Sequence, residues 1–134
     1  MSTIERREQV GSAPETFDLQ ATGRILFATP FVIFGLVHFM QGGAMAGVVP
    51  GWVPGGVFWV YATGAANLAA GAALAANRYV RPTALALVAM LSVFILTVHL
   101  PGLFAEGQMQ MAMTSLLKDL GLAGGALLIA GRQG

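Results

Sequence analysis

At 134 residues the chain is long enough for one domain, and it is only 10% charged against 56% hydrophobic, with a mean hydropathy of +0.72. A soluble domain carries roughly a quarter charged residues, so the solvent this surface suits is lipid. The formal net charge of +1 and the lack of any Lys/Arg cluster exclude a nucleic-acid surface, and the absence of cysteine excludes disulfides, CxxC redox pairs, iron–sulfur clusters and c-type haem attachment.

Residues 1–22 are polar and mixed in charge (Glu5, Arg6, Arg7, Glu8, Glu15, Asp18), broken by Gly11, Ser12 and Pro14. They read as a disordered cytoplasmic tail. No apolar stretch follows a basic start and ends in a small-residue cleavage site, so no cleavable signal peptide is expected. From Ile25 to Asn77 there is then no Asp, Glu, Lys or Arg at all. A hydrocarbon core about 30 Å thick needs about 20 helical residues, and four windows in the domain 23–132 approach that length.

The first window, predicted over 25–40, rises about 24 Å and is completed by Arg24 reaching to the interface. Pro30 should kink it. The loop Gln41 to Gly56 follows, with Val49-Pro50-Gly51-Trp52-Val53-Pro54 stiff and apolar enough to lie in the interface as a cap. The second window is predicted over 57–76 and is closed by the polar run Asn77-Arg78-Tyr79-Val80-Arg81. The third is predicted over 82–100, opened by Pro82 and stopped by Pro101-Gly102. The fourth is predicted over 111–130, with Ser115, Lys118 and Asp119 near its start and Gly131-Arg132 at its end.

Cations mark the cytoplasmic flanks of membrane helices. Arg6, Arg7 and Arg24 precede the first window, Arg78 and Arg81 separate the second from the third, and Arg132 follows the fourth, while the other two loops hold no Lys or Arg. The expected architecture is an all-α, up-down-up-down four-helix membrane bundle with both termini cytoplasmic. Small residues (Gly64 to Ala73, then Gly121, Gly124 and Gly125) allow close helix approach. Gly121-x-x-x-Gly125 fits either packing inside one bundle or a homo-oligomer.

Helix arithmetic gathers the few polar side chains at one depth. His38 lies about 21 Å along its helix from Arg24, and His99 about 27 Å from Arg81. Lys118 and Asp119 enter from the same, external side, at the level of Trp59 and Tyr61, and Asn67 lies near the midplane. Each also has a plain role: the histidines at headgroup level, Trp52 and Trp59 as interfacial anchors, and Lys118 snorkelling outward. A bis-histidine haem needs His38 and His99 face to face. A zinc site has only His38, His99 and Asp119 to draw on, and no metal centre is expected. Asp119 divides between a structural bond to a neighbouring helix and a functional polar site. Lys118 is adjacent to it and set about 100° away on the helix, whereas Ser115, one turn earlier, is in reach of it.

Four stretches in order resemble the DoxX-like family of small bacterial membrane proteins over most of 23–132. They are Gly35-Leu36-Val37-His38-Phe39 ending the first helix, the Val49 to Pro54 loop, Thr63-Gly64-Ala65-Ala66-Asn67, and Leu117-Lys118-Asp119-Leu120. Many relatives place Glu where this chain has Asn67, whose amide carries neither proton nor charge. The resemblance implies a multi-pass protein of the bacterial inner membrane that accompanies a membrane or periplasmic oxidoreductase. Its expected role is that of a non-catalytic accessory subunit of a quinone-linked system, with no covalent cofactor and a quinone-sized pocket under the cap. The pocket would draw on His38, Phe39, Trp52, Trp59, Asn67, His99, Lys118 and Asp119, with Lys118 or a histidine donating to a quinone carbonyl. Two other readings stay open: a binding or transport module for small lipophilic molecules, and a small membrane enzyme using His38 or His99 with Asp119 for proton transfer.

Overall fold

The computed structural model describes residues 18–133. Asp18 is an N-cap whose Oδ1 accepts from the backbone N–H groups of Gln20 and Ala21, each at 3.0 Å, and α1 runs from there over Leu19–Met40. The helix therefore begins six residues before Ile25. A hydropathy window cannot see a polar first turn that a cap holds in place. Asp18 and residues 19–22, expected in the tail, form the cap and first turn of α1, and residues 1–17 lie outside the described residues.

A short helix, Gly42–Met45, and a 3-10 turn, Ala46–Val48, lead into the cap loop. Gly55 and Gly56, both at positive φ (107° and 42°), turn the chain into α2, Val57–Ala75. The end of α2 is a Schellman closure with asparagine in the left-handed position. Asn77 (φ 55°) donates to Leu74 O at 3.1 Å and Arg78 to Ala73 O at 2.9 Å. Leu74 O also accepts from Arg24 Nε at 2.8 Å, so Arg24 ties α1 to the last turn of α2.

Helix α3 spans Val80–Gly102. Pro82 sits in its first turn, where a missing N–H is harmless. Pro101 does not stop the helix at Leu100 as expected. The ladder widens into a π turn over Ile95–His99, closed by the Leu100 N–H on Ile95 O, and continues through Gly102. A proline ring collides with the carbonyl four residues back, here that of Thr97, and the wider turn carries that carbonyl aside. Gly107, at φ 73°, precedes α4, Met109–Arg132.

The four long helices are each long and apolar enough to cross a membrane, and among the described residues there is no strand. α1 packs mainly on α2, and α3 on α4. The α1–α2 seam is a backbone-to-backbone approach. A Cβ on Gly35 would lie 2.8 Å from Gly64 O, and one on Gly71 would lie 3.1 Å from Val32 N and 3.2 Å from Ala28 O. Of the glycines in α4, Gly125 meets the Phe27 ring, while Gly121 and Gly124 face open space. Ala28, Phe31, Leu74, Val80, Leu87 and Leu91 form the main core, beside Ala84, Ala126 and Ala130. Large apolar side chains such as Leu26, Ile33, Phe58, Leu96, Leu117 and Leu128 point outward. That surface suits hydrocarbon and not water.

Candidate functional site

The core lies toward the end of the bundle where α1 starts and α2 ends, and toward the other end the helices border a half-open cavity of about 510 Å³. Such a volume falls in the range that holds small ligands. Its walls come from every long helix. Phe31, Phe34 and His38 descend α1 at one-turn spacing, as do Trp59, Thr63 and Asn67 on α2; Met90, Phe94 and Val98 do the same on α3, and Ser115, Lys118 and Asp119 contribute from α4. The cap adds Val49, Pro50, Trp52 and Val53, and is fastened to α2 by the Trp59 indole N–H donating to Pro54 O at 2.7 Å.

Seven of the eight residues singled out from sequence therefore line one space: His38, Trp52, Trp59, Asn67, His99, Lys118 and Asp119. Phe39 does not. One residue past His38 it has turned about 100° around α1, and its ring stacks on Tyr61 with centroids 5.6 Å apart and planes 9° from parallel. Thr63, Phe34, Met90 and Phe94 were missed as site residues; the one-turn spacing of Phe34 from His38 and of Thr63 from Asn67 was a usable signal, whereas nothing in the sequence marks Met90 and Phe94.

The polar centre is Asp119, only 1% exposed. Its Oδ2 lies 2.9 Å from His99 Nε2 and its Oδ1 lies 3.3 Å from Lys118 Nζ. The His99 contact is short but off the line of the ring N–H, so Oδ2 is sealed from solvent without an aligned donor. Ser115 lines the cavity yet does not supply that donor. Lys118 departs from expectation twice. Its backbone position points away from Asp119, but the four-carbon stem folds back to reach the carboxylate. Nζ sits 4.4 Å from the centroid of the Phe34 ring, a cation–π contact, instead of snorkelling outward. Across the cavity, His38 Nδ1 is 2.6 Å from Phe34 O, one turn back on its own helix.

His99 reaches Asp119 from inside the π turn. A π turn inserts a residue and resets the face that follows it, and such turns recur at functional sites. Among the described residues no three His, Cys, Asp or Glu side chains gather to hold a metal ion. The zinc set His38, His99 and Asp119 is thus not assembled; only His99 and Asp119 meet. The arrangement offers an apolar, aromatic-walled chamber with a hydrogen-bonding layer, a form suited to holding an amphiphilic ring.

A family model described as Domain of unknown function (DUF8561) matches residues 27–128, a stretch that contains every residue lining the cavity. No curated protein and no solved structure matches the chain significantly.

Proposed function

The chain belongs to the DUF8561 family, and from the geometry of its cavity we propose that it is a binding module for a small lipophilic molecule with a hydrogen-bonding head, of quinone size. The observation that carries this reading is the convergence of His38, Asn67, His99, Lys118 and Asp119 on one chamber whose remaining walls are mostly apolar and aromatic, with hydroxyls from Thr63, Thr97 and Ser115. A structural polar cluster needs no chamber beside it, whereas a ligand needs both the empty volume and a few well-placed polar groups.

The four stretches that resemble the DoxX-like family each contribute to the chamber, through His38, through Val49, Pro50, Trp52 and Val53, through Thr63 and Asn67, and through Lys118 and Asp119. This favours work beside a membrane or periplasmic oxidoreductase, with a quinone as ligand, as an accessory subunit. The site lies in the external half of an up-down-up-down bundle in the inner membrane, both termini cytoplasmic. The cation distribution supports that orientation, and the order of contacts supports the topology: Arg24 with Leu74, Gly35 with Gly64, Gly42 with Tyr61. A reporter fused after Gly134 should score as cytoplasmic. An external score overturns the orientation.

The chain has two tryptophans, and both line the cavity, so intrinsic fluorescence is a direct gauge of occupancy. Titration of the protein in lipid nanodiscs with a short-tailed benzoquinone, which quenches indole emission, should give saturable quenching. A purely linear response, equal to that of a membrane peptide carrying tryptophan, together with no lipophile in an organic extract of gently purified protein, would sink the binding reading.

A further inference from the structure

The helices that wall the cavity follow one another around it: α1 packs on α2, α2 on α3, α3 on α4 and α4 on α1. The α2–α3 seam therefore lies opposite the α1–α4 seam, and the two are closed to different extents. The α1–α4 seam is spanned. A Cβ on Gly125 of α4 would meet the Phe27 ring of α1 at 2.8 Å, and two turns along the pair the Lys118 stem crosses from α4 to place Nζ 4.4 Å from the centroid of the Phe34 ring.

The α2–α3 seam is joined in the core by Ala70 and Leu74 on α2 with Val80 and Leu87 on α3. Further out, the π turn over Ile95–His99 packs on α4 rather than on α2. Trp59 on α2 and Val93 on α3 both line the cavity, yet they are 47% and 55% exposed. A side chain that borders the chamber and the outside at once stands at its rim. Val93 precedes Gly102, the last residue of α3, by nine positions, about 13 Å, so this rim lies within the hydrocarbon span and not at the headgroups. Its polar groups are spent locally. The Thr97 hydroxyl donates to Val93 O at 2.7 Å, and the Trp59 indole N–H to Pro54 O, also at 2.7 Å. What faces the lipid there is apolar.

We infer that the cavity opens sideways into the bilayer between α2 and α3, and that its ligand is a membrane lipid with one hydrocarbon chain, the head held in the chamber and the chain leaving past Trp59 and Val93. The inference rests on the lipophile-binding reading above and adds the class of ligand and its route. A volume of about 510 Å³ holds a molecule of drug size at most, so a long chain has to leave it. Lys118 sets the head end: its ammonium lies 3.3 Å from Asp119 Oδ1 and keeps donors to spare for an acceptor on the ligand. Because Lys118 stands at the seam opposite the mouth, a head bonded there directs its chain to the α2–α3 side. A chain passing through that mouth stays among apolar neighbours, so its length adds neither gain nor penalty.

The test is quenching of tryptophan emission, for the full chain in phosphatidylcholine nanodiscs, by 2,3-dimethoxy-5-methyl-1,4-benzoquinone and by the same ring with a hexadecyl chain at its open position. Ligand is expressed per lipid so that partitioning cancels. The wild type should bind the two within about threefold of each other. Val93→Phe, which puts bulk in the mouth, should weaken the hexadecyl form at least about tenfold and leave the chainless ring where it was. Leu36→Phe, on the exposed face of α1, should change neither. Exclusion of the hexadecyl form by the wild type, or a Val93→Phe variant that treats the two rings alike, overturns the inference and leaves the lipophile-binding reading intact. Failure of both rings to bind overturns that reading and the inference with it. If Val93→Phe does not fold, a diazirine midway along the hexadecyl chain decides in the wild type. Labelling that excess unmodified ligand removes should fall on α2 and α3, and its falling on α1 and α4 instead overturns the inference.

Discussion

Gly71→Leu is expected to destabilise the bundle by about 3 kcal/mol or more, the upper part of the range for forcing bulk into a closed contact. The obstacle is not a side chain that can swing away. A Cβ at Gly71 meets Val32 N at 3.1 Å and Ala28 O at 3.2 Å, in addition to Val32 Cγ2 at 2.6 Å, so α1 and α2 must separate along their seam. Membrane helices gain little from excluding water from one another and depend on such close approach. Gly121→Leu and Gly124→Leu supply the control. Both positions face open space, and each change should stay within about 0.5 kcal/mol. Unfolding of the three variants in mixed micelles with increasing denaturing detergent measures the difference. If Gly71→Leu unfolds with the controls, the α1–α2 seam is not closed as described.

His99→Leu should be the most damaging single change in the polar layer, at about 3–5 kcal/mol, because it strips a partner from a carboxylate that remains buried. Asp119 would then keep only Lys118 at 3.3 Å. The double variant His99→Leu/Asp119→Leu should recover most of that loss, since an apolar pair of similar volume replaces a polar one and lipid sets no penalty on it. Unfolding of the two single variants and the double gives the coupling between them. A loss below about 1 kcal/mol for His99→Leu, or a double variant as unstable as the sum of the singles, would mean that the 2.9 Å approach of His99 to Asp119 does not hold the carboxylate in place.

The same residues show why some of the site was legible and some was not. His38, Asn67, His99 and Asp119 stand out because polar side chains are rare in these segments, and a fixed rise per residue is enough to assign their depth. Rotation about the helix axis is harder to read. Phe39 was grouped with His38 by adjacency, yet it lies a hundred degrees or so around α1 and stacks on Tyr61. The separation of Lys118 from Asp119 was judged from the backbone alone, and a long flexible stem undoes that geometry. The edge of an apolar run marks Arg24 as a helix-end residue, but not that the open carbonyl of Leu74 at the end of α2 binds it.

Composition and the spacing of charges by themselves determined that the chain is helical and suited to lipid, and that it carries four apolar segments with a sparse polar layer. These follow from the length a helix needs to cross hydrocarbon and from the scarcity of charge within each segment. Only the tertiary structure decided that the layer surrounds a cavity, that Asp119 is held between His99 and Lys118, and that Pro101 is absorbed by a π turn that presents His99 to α4. The physical reason is that these outcomes depend on how helices on different parts of the chain rotate and approach one another. Glycines at the α1–α2 seam and side chains from distant turns set that approach jointly, and no local pattern of residues encodes it.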